Sequence, residues 1–201
     1  MNDDALERLA VKAPRDIAAD IRDGDLLLCA AHDPFSRLIG WATHSPWTHV
    51  AIAWRWPEAG EVLVLECVQH LGVRAVTLDR FVRETSSGVR PYPGKIVLAR
   101  RSGLHLRAPR DALVAAGLQR LGDRFSGAEI AKIALRIVAG RLQRRTPRPL
   151  RPRDEFICSE YVDACFKAAG IEFPWDGLGF IAPCDIARDA EVEGLCRLKT
   201  R

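Results

Sequence analysis

No stretch of the chain reaches the roughly 18 consecutive apolar residues that a membrane-crossing helix requires, so no such helix is expected. The first residues, MNDDALERLAVKAPRD, lack the basic start and apolar core of an export signal; they are acidic and then amphipathic. Charge of one sign is scarce as well. Thirty Lys and Arg against 26 Asp and Glu leave a formal +4, too little to argue for specific nucleic-acid binding. No internal repeat suggests a solenoid. With 48% hydrophobic and 28% charged residues, the chain is neither disordered nor collagen-like. What remains is a globular chain of 201 residues, long enough for one substantial domain. A cytoplasmic location is the expectation, with peripheral membrane association left open.

Six cysteines could form a disulfide framework, but they are scattered through apolar runs and no export signal precedes them, so reduced thiols are expected. The mild positive charge is concentrated in one place. Arg141, Arg144, Arg145, Arg148, Arg151 and Arg153 alternate with Pro147, Pro149 and Pro152. Two readings stand: a solvated, proline-stiffened loop, or an anionic-surface contact through Arg141, Arg144, Arg145 and Arg148.

The coarse pattern is strands followed mainly by helices. Residues 3–11 and 15–21 read as short helices split by Pro14, giving an N-terminal helical extension over 1–23 ahead of a single domain over 24–201. GDLLLCAA (24–31) reads as a buried strand and 34–42 as a short helix. HVAIAWRW (49–56) and EVLVLECV (61–68) flank Pro-Glu-Ala-Gly, a hairpin signal. Segments 73–78 and 95–100 extend the sheet. Helices follow over 109–122, 126–142 and 154–170, the last with Asp154 as N-cap and Gly170 as terminator. A short helix after Pro183 and a strand over 194–200 complete an α+β domain built on an antiparallel sheet.

His49 opens an apolar strand, where an imidazole gains little. Side chains alternate across a strand, so His49 shares a face with Ala51 and Ala53, while Val62, Val64, Glu66 and Val68 share one on the next strand. If the turn pairs Trp56 with Glu61, Ala51 opposes Glu66, and His49 becomes its diagonal neighbour at about 7–8 Å. A carboxylate among valines is costly unless paired, and the imidazole is within reach. Such a pair fixes one ring nitrogen and frees the other as a base. A buried structural pair without chemistry satisfies the hairpin equally well.

Phe-Ile-Cys-Ser-Glu-Tyr-Val (156–162) supplies a third member. Cys158 falls in the first turn of its helix, where unsatisfied N–H groups and the helix dipole favour a thiolate and can hold an oxyanion. Cys158, Val162, Cys165, Phe166 and Ala169 also form a helical stripe, so a core role for Cys158 is the competing reading.

WATHSPWTHVAI (41–52), a strand carrying Glu66 and then FICSEYV far downstream resemble the circularly permuted papain-like cysteine hydrolases. The match is to the YiiX-like branch of the NlpC-type superfamily, in which the cysteine helix follows the histidine strand. The resemblance spans about Gly24 to the IAPCDIA segment at 181–187. It implies a permuted papain-like fold with Cys158 as nucleophile, His49 as general base and Glu66 as the residue orienting the imidazole. The Gly-Asp-Arg-Phe-Ser segment (122–126) carries Phe125 where a tyrosine is common. The implied activity is a cysteine peptidase or amidase, or an acyltransferase, working through a thioester. A peptidoglycan-derived peptide, a small amide or a lipid would be the substrate, and no cofactor is implied. His44 and Trp47, in the loop entering one edge of the cleft, are the candidate substrate contacts, although His44 equally suits helix capping or loop packing.

Two other functions stay open. The fold could serve as a non-catalytic lipid- or protein-binding module. Alternatively, Cys29-x-x-His32 and Cys67-x-x-His70 are formally enough ligands for tetrahedral zinc.

Overall fold

The computed structural model of the chain describes residues 3–32, 34–69, 71–85, 88–104, 106–125, 155–174 and 181–200. The helix expected over 126–142, the arginine-rich segment, Asp154, His70 and His105 lie outside the described residues.

Seven strands form the main sheet in the order β1 (Val11–Lys12), β11 (Val192–Leu198), β8 (Gly94–Arg101), β2 (Leu26–Ala31), β3 (His49–Trp56), β4 (Glu61–Val68) and β5 (Gly72–Thr77). Two small ladders pair β6 (Glu84–Thr85) with β7 (Gly88–Val89), and β9 (Arg124–Phe125) with β10 (Glu155–Phe156). The helices are α1 (Asp3–Arg8), α2 (Pro14–Ile17), α3 (Pro34–Thr43), α4 (Leu78–Arg83), α5 (Arg107–Leu118), α6 (Cys158–Ala168) and α7 (Pro183–Arg188). None of the described helices is long and apolar enough to cross a membrane.

The architecture is α+β, but the sheet is mixed rather than purely antiparallel, because β1 runs parallel to β11. That strand falls inside the segment expected to be helical. The Arg197 and Lys199 amides donate to the carbonyls of Ala10 and Lys12, so a two-residue strand owes its existence to a partner at the far end of the chain. Helix α2 starts afterwards at Pro14, which has no N–H to leave unpaired.

Both faces of the sheet are covered. On one lie Leu26, Leu28, Val50, Ile52, Leu65 and Cys67 beneath α5, α6 and α7. On the other lie Leu27, Cys29, Ala51, Ala53, Val64 and Ile96, packed with Ile17, Ile21 and the Leu78, Phe81 and Val82 side chains of α4. All six residues of β2 are buried, which explains why it reads as an unbroken apolar run rather than an alternating one. Each fully buried leucine or isoleucine there contributes about 1.5–3 kcal/mol relative to exposure.

Candidate active site

The hairpin of β3 and β4 has the register expected from its turn. Pro57–Ala59 form a single 3₁₀ turn, and Gly60 closes it in the left-handed region at φ 68°. Trp56 pairs with Glu61 and Ile52 with Leu65, which sets His49 diagonal to Glu66 on the same face. The two side chains meet there, His49 Nε2 lying 2.9 Å from Glu66 Oε2.

Glu66 is 2% exposed, and both its oxygens are occupied. Oε2 is held by His49, and Oε1 accepts from Arg74 Nε at 2.9 Å and Nη2 at 2.7 Å. Burial pushes the Glu66 carboxyl upward, but the hydrogen bonds and charges of His49 and Arg74 outweigh it and hold the group below its ordinary range. Removing one partner from such a buried ion pair costs about 3–5 kcal/mol, because the other charge is left uncompensated.

Arg74 is the site residue that the sequence reading missed. Val68 pairs with Gly72 across a short connection, and that register sets Arg74 directly opposite Glu66. Extending the alternation argument from the first hairpin to the second would have found it. Gly72 fixes where β5 begins: its φ is +74°, and a Cβ there would meet the Asp123 carbonyl oxygen at 2.1 Å. The neighbouring Val73 amide donates to that same oxygen at 2.8 Å.

Phe81 of α4 also went unnoticed, since nothing local marks a helix residue as a wall for a distant ring. Its ring stacks on the His49 imidazole, with centroids 6.4 Å apart and planes at 29°. Tyr92 stacks in turn on Phe81 at 6.3 Å. The imidazole therefore has a hydrogen bond at one edge and an aromatic face behind it. Its side chain keeps 17% exposure, so the site is open to solvent on one side.

Helix α6 brings Cys158 to this histidine. Strand β10 pairs with β9, and Ile157 continues extended at φ −100° and ψ 162°, so the helix begins at Cys158. Asp154 is therefore not its N-cap; the cap position belongs to Ile157, which has no side-chain donor or acceptor. The first intrahelical bond runs from the Tyr161 amide to the Ile157 carbonyl, leaving the amides of Cys158, Ser159 and Glu160 without intrahelical acceptors. Ser159 Oγ donates to the Ile181 carbonyl at 2.7 Å and ties this turn to the chain entering α7.

Cys158 lies close enough to the imidazole of His49 to raise its affinity for a proton. With Nε2 committed to Glu66, Nδ1 is the nitrogen left for the sulfur. Burial alone would lower the affinity of His49 for a proton. The interaction with Cys158 and the hydrogen-bonded Glu66 carboxylate together outweigh burial and raise the imidazole from 6.5 to about 10. Cys158, His49 and Glu66, which together span over a hundred residues of chain, thus lie in one row.

The remaining candidates are placed differently. His44 follows α3 with φ 49°, and the Ser45 amide donates to the Gly40 carbonyl at 3.1 Å, the six-to-one bond of a helix C-terminal cap. Its backbone thus ends the helix, while its side chain is exposed. Trp47 is 1% exposed and belongs to the core beneath α6, so it packs the entry to β3 instead of presenting a surface to substrate. Its indole Nε1 has no hydrogen-bond partner among the described residues. Of the four zinc candidates, His70 lies outside the described residues. Cys29 and Cys67 lie on opposite faces of the sheet, and no group of three His, Cys, Asp or Glu suited to a metal occurs among the described residues.

No family model and no curated sequence matches the chain. Among solved structures it is similar to the metalloprotein YiiX of Escherichia coli O157:H7, with a TM-score of 0.60 and 15% identity over 88% of this chain and 97% of that one. At that identity the likeness is one of fold, and the α+β domain described above is YiiX-like.

Proposed function

We propose that the protein is a cysteine-nucleophile hydrolase or acyltransferase acting on an amide or ester through a thioester, on a permuted papain-like fold. The observation that carries this reading is the row Cys158–His49–Glu66, in which the imidazole is hydrogen-bonded to a buried carboxylate at one edge and interacts with Cys158 of the neighbouring helix start. Chain order supports the permuted form, since the base strand precedes the nucleophile helix.

In this reading His49 takes the thiol proton, and the sulfur forms a bond to the substrate carbonyl carbon. The carbonyl oxygen becomes an oxyanion against the first-turn amides of α6, which have no intrahelical acceptors. Collapse breaks the bond to the leaving nitrogen or oxygen, which departs with the proton from the imidazolium. Water then gives a proton to His49 and attacks the thioester, the carbon–sulfur bond breaks, and the acid is released. An alcohol or amine in place of water makes the same sequence an acyl transfer. Peptidoglycan-derived peptides, small amides and lipids are the substrate classes proposed, in the cytoplasm.

The structural neighbour is named a metalloprotein. The residues here do not fit that role: Cys29 and Cys67 face apart, and Glu66 is saturated by His49 and Arg74. No step is therefore routed through a metal.

The test is to incubate the protein with a panel of activated esters and amides, quench in acid and weigh it. An acyl adduct mapped to Cys158, absent in Cys158→Ala, supports the reading. No adduct and no turnover with any member, together with ordinary thiol reactivity at Cys158, would overturn it.

A further inference from the structure

The two oxygens of Glu66 serve different partners, and the second partner is the informative one. Holding an imidazole needs only Oε2. Oε1 is nevertheless gripped by the Nε and Nη2 atoms of Arg74, which projects from the directly opposed position on β5. The Arg74 side chain is 21% exposed, so it is not there to fill the core.

The charges around the pair can be named from every side. Cys158 approaches from α6, Arg74 from β5, and Cys29 sits opposite His49 on β2, its thiol kept well above its ordinary range by burial. Helix α4 presents the uncharged ring of Phe81. Apart from His49 itself, Arg74 is the only cation in contact with Glu66 among the described residues.

Consider the row in two states. At rest, Cys158 and His49 share one proton beside the carboxylate–guanidinium pair of Glu66 and Arg74, and the row sums to zero whichever of the two holds it. Once Cys158 is acylated it can no longer carry a charge, and His49 must be neutral to accept a proton from water. With Arg74 present, that neutral imidazole leaves a carboxylate–guanidinium pair, again summing to zero. Without Arg74, the balanced state would be imidazolium with carboxylate, and His49 would be unable to act as a base.

We propose that Arg74 is a positioning residue that acts through Glu66, releasing His49 from its proton in the acyl-enzyme and so governing deacylation more than acylation. This rests on the acyl-transfer reading above.

The experiment has two arms, using Arg74→Gln and Arg74→Lys in the full chain. In the first, pre-steady-state kinetics with a chromogenic ester separate the acylation burst from deacylation across pH. Arg74→Gln should retain the burst, while its deacylation limb moves up by roughly one pH unit or more. Arg74→Lys should restore the limb most of the way. In the second arm, Cys158 is capped with iodoacetamide and the His49 ring is titrated by NMR. The midpoint should rise by a similar amount in Arg74→Gln and return in Arg74→Lys. If Arg74→Gln does not fold, Arg74→Met, which retains the aliphatic stem, carries the same expectation. An unchanged His49 midpoint, or equal losses in burst and deacylation with no rescue by lysine, overturns the proposal. If the parent protein gives no burst with any ester, the acyl-transfer reading fails instead, and the NMR arm still decides the electrostatic role of Arg74.

Discussion

His49 and Glu66 sit one strand apart and diagonal to one another, yet His49 Nε2 and Glu66 Oε2 are 2.9 Å apart. On β3 the residues that share this face with His49 are the small Ala51 and Ala53. A buried carboxylate and a half-open imidazole in this relation define which ring nitrogen is free, and most of the expected behaviour follows from that.

Cys158 should stand apart from the other five cysteines. Burial raises the thiols of Cys29, Cys67 and Cys196, and takes that of Cys165 up to about 12, so these four should resist alkylation near neutral pH. Cys184 is 3% exposed and should resist as well. Brief treatment with iodoacetamide followed by peptide mass mapping should show modification at Cys158 first. His49→Ala should slow that modification, and turnover should fall by about 10²–10⁴-fold, the usual range for losing a general base.

Stability should depend on pH at both ends of the range. The folded-state value of His49 is raised from 6.5 to about 10, so its contribution is complete below about pH 6.5 and is lost as pH climbs through about 10. Glu66 is shifted the other way, from a starting value of 4.5, so its contribution is present above that pH and disappears in more acidic solution. Urea midpoints measured across this range should form a plateau that falls on both sides. In Cys158→Ala the alkaline fall should be smaller, because one cause of the raised histidine value has been removed.

Phe81 offers a way to separate orientation from folding. Phe81→Leu keeps an apolar side chain against the sheet and should cost under about 1.5 kcal/mol in denaturant unfolding. The imidazole loses its stacked wall, and turnover should drop roughly ten-fold, short of the ~100-fold expected for a 1 Å misplacement. A loss of stability with no loss of turnover would make Phe81 an ordinary core residue.

Metal removal should leave the site intact. Exhaustive chelation should change neither the rate of Cys158 alkylation nor the melting temperature, and elemental analysis of washed protein should find no equimolar zinc. Added zinc should instead block alkylation, because a thiolate and a neighbouring imidazole are both zinc ligands.

The residues differ in how much of their role is legible in the sequence. The β3–β4 register was legible because Pro57 and Gly60 define the turn locally, and alternation then carries the pairing to Glu66. Cys158 was legible as a first-turn residue, but the helix start was placed four residues early. What holds the chain extended to Ile157 is pairing with Arg124 and Phe125, a contact invisible in the local pattern. Strand β1 was missed for a similar reason, since two residues carry no periodicity of their own. His44 read equally well as a substrate contact or a helix cap, and its left-handed backbone places it at a helix terminus, as one of the non-glycine residues that tolerate that conformation.

His49, Glu66 and Arg74 all lie within one uninterrupted meander of three neighbouring strands joined by short turns. Contacts so close in sequence close small loops and are entropically cheap, whereas Cys158 must arrive from over eighty residues beyond the end of β5. The order of assembly should follow. Pulsed hydrogen exchange during refolding should find the amides of β3 and β4 protected before those of α6, so that the chain builds its base first and receives its nucleophile last.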